Sequence, residues 1–159
     1  MSRSRFFFCL GLVVLSVTSC GPKDDTAKAE GEVKRFHKHW NQWEFADVYN
    51  EAHSAFRSIQ PASKMIATLE SSRKTLGELK STKQRSSAVT HEHVEKQITF
   101  KYDSSFEHAA RVETFSYLMT AGQPLLVNYY LLSPEEDAKH EAELARRRPR
   151  SPSPGAGRN

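Results

Sequence analysis

At Gly77 the spacing of apolar residues along the chain changes, and that change limits the sequence to a small set of folds. Upstream, Val33, Phe36, Trp40 and Trp43 recur at helical intervals. A second stripe of Phe45, Val48, Tyr49, Ala52 and Phe56 follows a break near Gln42 to Asp47. Residues 32–57 therefore read as two short helices or one bent helix. Pro61 opens a further helix at its first turn, where a missing N–H costs nothing. Met65, Ile66, Leu69 and Leu76 supply that helix's apolar face, and Gly77 suits its C-terminal cap.

Downstream the period approaches two, the repeat of a strand with one buried face. Val94, Lys96, Ile98, Phe100 and Tyr102 fall on one face. His91, His93, Glu95, Gln97, Thr99 and Lys101 fall on the other. Asp103-Ser104-Ser105 has the composition of a turn. Phe106 to Met119 reads as the next strand, Ala121-Gly122-Gln123-Pro124 as a turn, and Leu125 to Leu132 as another strand. A weaker, polar strand over Glu78 to Val89 precedes them at a sheet edge. N-terminal helices packed on a curved antiparallel sheet of about four strands make an α+β domain over residues 32–133. Ser133-Pro134-Glu135-Glu136 then starts a short helix to about Leu144, and the arginine- and proline-rich remainder to Asn159 reads as disordered.

The first nineteen residues follow another logic. Arg3 and Arg5 precede an apolar run from Phe6 to Val17, shorter than the ~20 residues that span a bilayer and matching a secretory signal. Val17-Thr18-Ser19-Cys20 resembles the lipobox of bacterial lipoproteins, with valine where leucine is commoner. The resemblance implies cleavage before Cys20 and lipidation of its thiol. The alternative is an ordinary signal with a coincidental cysteine. Each buried methylene of an acyl chain adds ~0.8 kcal/mol, so more than one chain gives durable anchoring. Residues 21–31, polar and without an apolar period, read as a flexible spacer between lipid and domain. Gly21, in place of an aspartate, favours the outer membrane in a cell that has one.

Cys9, the one other cysteine, lies within the removed segment, which rules out disulfides and thiol chemistry in the mature chain. Of a formal +4, seven arginine charges belong to the signal and tail, which leaves −3 between Cys20 and Ala145. A mildly acidic domain outside the cytoplasm is not a nucleic-acid binder. The tail arginines could touch anionic lipid, at about 1 kcal/mol each, or be idle; deleting residues 145–159 and washing membranes with salt separates the two.

Phe36–Trp40, Phe45–Tyr49, Phe56, Arg73-Lys74-Thr75-Leu76-Gly77, Ile98 to Tyr102, Glu113 to Tyr117 and Gly122 through Tyr130 are together similar to small bacterial lipoproteins of unknown function. Their domains resemble the nuclear transport factor 2-like and cystatin-like architecture, a sheet wrapped on a long helix. That architecture hosts enzymes, binding modules and assembly domains alike. Enzymes of this kind carry acid–base residues in a cone-shaped cavity, which makes Glu113 the candidate base and Tyr102, Tyr117 and Tyr129 candidate donors. The plainer reading pairs Glu113 with Arg73 or Arg111. Trp40 and Tyr49, with Trp43 and Phe45, could line a ligand pocket, although aromatics at helical spacing are more often core. His91, His93 and Glu95 have strand spacing for a divalent metal, but on a wet face. His37 and His39, two apart on a helix, face different ways. No phosphate loop, Gly-x-Ser-x-Gly elbow or His-Glu-x-x-His helix is present. The expected function is a non-enzymatic binding or interaction domain anchored in the cell envelope, with no cofactor and with an envelope protein or a second copy as possible partner. The alternative is a small isomerase- or hydrolase-like enzyme built on Glu113.

Overall fold

The computed structural model describes residues 22–92 and 95–147. Within them the order is α1 (Pro22–Gln42), α2 (Phe45–Glu51), α3 (Ser54–Ile59), α4 (Ala62–Leu76), β1 (Leu79–Glu92), β2 (Glu95–Phe106), β3 (Ala110–Thr120), β4 (Gln123–Leu132) and α5 (Pro134–Arg147). The strands form an open antiparallel meander, β1-β2-β3-β4. The α+β plan holds. No helix among the described residues is long and apolar enough to cross a membrane. Cys20, with the whole signal segment, and His93 lie outside the described residues.

Helix α1 begins at Pro22, so most of the stretch expected to be a spacer is helical. Apolar periodicity missed it because a single small residue, the fully buried Ala29, does the packing there. Asp24 and Asp25 lie in its first turn, where a carboxylate complements the helix dipole, and Asp25 accepts from Lys96 of β2 at 2.8 Å. The stripe then continues through Val33, Phe36 and Trp40, all buried. Trp43 ends it in a left-handed conformation, φ 63°, and stands outside with the Arg73 guanidinium 5.0 Å from its ring centre. The region read as one bent or two short helices is thus the end of α1 followed by α2 and α3.

Pro61 precedes α4 as expected, and Gly77 closes it, donating its N–H to the Arg73 carbonyl at 2.9 Å. Its φ of 78° and ψ of −163° belong to a region that is essentially glycine's alone. A Cβ there would lie 2.6 Å from the Cβ of Glu107.

Three further readings need correction. Asp103-Ser104-Ser105 is not a turn: β2 runs on to Phe106, because Ser104 is buried and bonded to Glu113 while Asp103 pairs with Arg85. Its turn falls at residues 107–109. The alternation read through residues 91–102 is interrupted by a hairpin, with Glu92 opposite Glu95. His91 is on β1 opposite Lys96, so it and Glu95 point to opposite faces. Helix α5 extends past Leu144 to Arg147, taking in Arg146 and Arg147 of the expected tail. It belongs to the folded unit, starting with a reciprocal cap in which Ser133 N–H donates to Glu136 at 2.8 Å and Glu136 N–H to Ser133 Oγ at 3.2 Å.

The core lies between the helices and one sheet face. Phe36 sits edge-on to Phe115 at 5.0 Å, with Tyr129 4.6 Å away. Trp40 packs on Phe45 and Phe106. On the opposite face α5 is fastened by buried Asp137, which accepts from Lys101 at 2.7 Å and Arg85 at 2.6 Å. Burial alone would raise the Asp137 carboxyl, but these two cations hold it below its ordinary value.

Gly77→Ala should lower stability by about 1–3 kcal/mol in urea denaturation, from the backbone conformation alone. For Asp137 the folded pKa lies below the unfolded value of roughly 3.9. Its contribution is therefore complete above that pH and is lost as pH falls below it. Hydrogen exchange should show α5 loosening under acid in the wild type, whereas Asp137→Asn should be loose already at neutral pH and flat across the window.

Candidate functional site

Two polar clusters are built on opposite sides of the α1 stripe. The first surrounds Glu113, which is fully buried. Tyr129 donates to its Oε1 at 2.8 Å, Ser104 donates to Oε2, and His37 Nε2 lies 2.9 Å from Oε2. Neither arginine suggested by the sequence reaches it. Arg73 donates to the Trp40 carbonyl at 3.3 Å, and Arg111 to the Ala110 carbonyl. The strand register explains the choice: Tyr102 stands directly opposite Glu113, and Ser104 and Tyr129 are its diagonal neighbours. His37 and Ser104 were the partners missed: the sequence placed His37 only on a different helix face from His39, and Ser104 in a turn.

The tyrosines divide. Burial pushes Tyr129 and Tyr117 well above the ordinary phenol range, with carboxylates nearby adding to it. Burial and then Glu30 and Glu113 push Tyr102 up to about 12. All three are protonated donors at neutral pH. Tyr102 donates to Gln84 at 3.3 Å and Tyr49 to the Arg57 carbonyl at 3.1 Å. Trp40 donates to the Gly77 carbonyl at 3.3 Å from within the core. Trp40, Phe100 and Phe115 are all buried between the helices and the sheet.

The second cluster borders a cavity of about 290 Å³ between α1, α2 and the start of β4. Phe36, Val48, Tyr117 and Leu126 form its apolar wall, and Glu32, Arg35, His39 and Glu51 its polar one. Tyr117 is the one sequence candidate that reaches it. Glu44 approaches His39 Nδ1 at 2.8 Å. His39 Nε2 is buried with no hydrogen-bond partner among the described residues, and the nearest carboxylate oxygen, Oε2 of Glu51, is 3.6 Å away. The other oxygen of Glu51 is held by Arg35. Burial raises the Glu32 carboxyl, against the opposing pull of Arg35. The 32, 35, 36, 39 spacing is a helical stripe, and its polar content hid it from an apolar reading.

On the candidate metal strand, His91 and Glu95 are both exposed. His39, Glu44 and Asp47 do group ligand atoms within 4.8 Å of one another. No family model matches the chain, and no curated protein is significantly similar to it.

Glu113→Ala should cost about 3–5 kcal/mol, because it strands buried partners that were paired to a charge. Tyr129→Phe should cost about 1.5–3 kcal/mol and Tyr102→Phe, whose partner is neutral, about 0.5–1.5 kcal/mol. Urea titration of the three variants checks this order.

Proposed function

We propose that this chain is a lipid-anchored binding domain of the cell envelope, its ligand taken between α1, α2 and β4. The observation that supports it most is where the open volume lies. The aromatics of the interior are buried and Glu113 is spent on three bonds between elements. The cavity, in contrast, combines an apolar wall with ionisable groups, the usual make-up of a small-ligand site. The enzyme alternative built on Glu113 is less well supported, since that carboxylate does not line the cavity.

Anchoring rests on Val17-Thr18-Ser19-Cys20. The nuclear transport factor 2-like or cystatin-like reading rests on helices covering one face of a four-stranded meander. Because α1 starts two residues after Cys20, lipidation would hold the domain close to the bilayer. At 1.5 Å per residue the cavity residues of α1 would lie roughly 15–25 Å along the helix from its start.

Cys20→Ala should abolish incorporation of labelled palmitate and move the protein out of the membrane fraction; retention of both label and membrane association would overturn the anchor. For the cavity, thermal melting is followed against a panel of small amines, carboxylates and metal salts. A binder at 100 times its Kd stabilises by about 2.7 kcal/mol, several degrees here. Leu125→Trp, which fills the mouth, should remove the shift. A panel that leaves the wild type unmoved would count against a small-ligand site.

A further inference from the structure

A buried ring nitrogen with no hydrogen-bond partner is unusual, since buried polar groups are nearly always bonded. His39 presents one. Its Nδ1 faces Glu44 at 2.8 Å, a contact that orients the ring with Nε2 towards Glu51. The 3.6 Å from Nε2 to Glu51 Oε2 is too long for a hydrogen bond. It is, however, a span that one ion bound at ~2.0–2.2 Å to each atom can bridge. Glu51 is oriented in turn, because Arg35 holds Oε1 and leaves Oε2 to the cavity. Carboxylate to imidazole to metal, with the metal-binding carboxylate itself hydrogen-bonded, is how protein metal ligands are commonly held. Glu32 lines the same cavity one turn of α1 before Phe36 and within electrostatic reach of both His39 and Glu51.

We infer that the cavity binds a divalent ion of the zinc type through His39 Nε2 and Glu51, with Glu44 and Arg35 as positioning residues and Glu32 adding negative charge nearby. This rests on the reading of the cavity as a binding site and names the class of its ligand. A mixed imidazole and carboxylate set suits zinc better than calcium or magnesium, which take oxygen alone. Arg35 opposes a dication, and the nearby carboxylates of Glu32, Glu44 and Glu51 outweigh it. The other side of the ring offers a rival cradle of Nδ1, Glu44 and Asp47. There Nδ1 already has a hydrogen-bond partner, Asp47 is exposed, and Nε2 would gain nothing.

The test is calorimetric titration of zinc chloride into the full-length lipoprotein in detergent, with cobalt as a spectroscopic probe. One ion per chain is expected, and a visible cobalt spectrum of a low-symmetry nitrogen and oxygen site. His39→Ala should abolish both, Glu51→Gln should weaken binding at least tenfold, and Glu44→Gln by roughly 10–100-fold. Asp47→Asn and His91→Ala should leave it within twofold. Metal-free melting curves check that each variant is folded, and Glu51→Gln, at a half-exposed position, keeps the test valid if His39→Ala is not. Absence of binding would overturn the inference, as would survival in His39→Ala or loss in Asp47→Asn. A protein silent to zinc whose cavity still takes an organic ligand, blocked by Leu125→Trp, would overturn it while leaving the binding reading in place. Silence to both ends both.

Discussion

A carboxylate at the centre of a small domain is expensive unless several donors replace the water it has lost. Glu113 meets that condition by drawing its partners from three separate elements: His37 from α1, Ser104 from β2 and Tyr129 from β4. Each bond is local to the carboxylate, but together they tie the long helix and two strands to β3. The aromatic packing around Phe36, Phe115 and Tyr129 surrounds this node and is largely non-directional. Register is directional. A slip of one residue in β3 would turn Glu113 to the other face of the sheet and leave all three partners unpaired.

The same helix carries the second polar feature on an adjacent stripe. His37 faces the sheet and Glu113, whereas His39, two positions on and about 200° around the axis, faces the cavity. One α-helix thus separates a saturated structural cluster from an unsaturated one. The distinction decides which is read as a site. A histidine bonded to a buried carboxylate, as His37 is, contributes to holding the fold, and one with a buried unpartnered nitrogen has binding capacity left over. Glu44, just past the left-handed turn at Trp43, makes the difference by occupying the other nitrogen.

Much of this architecture was legible in the chain. The change of apolar period at Gly77 marked the passage from helices to sheet, and Pro61 and Gly77 bounded α4 where they were expected to. Failures occurred where packing used residues that carry no apolar signal. Ala29 extended α1 ten residues upstream, and Ser104 carried β2 through a stretch with the composition of a turn. Glu113 was recognisable as a candidate site carboxylate, but its partners were not. Arginines are the default partners in a sequence. Here a histidine 76 positions away, a serine and a tyrosine replace them.

What the sequence by itself determined is the set of local preferences: which stretches coil, which extend, which face of each is apolar, and where proline and glycine stop an element. These follow from backbone sterics and from the periods of 3.6 and 2. Only the tertiary structure decided that the aromatics are buried between helices and sheet, that Glu113 is consumed among them, and that His39 meets Glu44 and Glu51 at the rim of a cavity. Those outcomes depend on distances between residues remote in the chain. Such distances arise when the hydrophobic faces close on one another, because that closure, and no local rule, sets which polar groups come within reach.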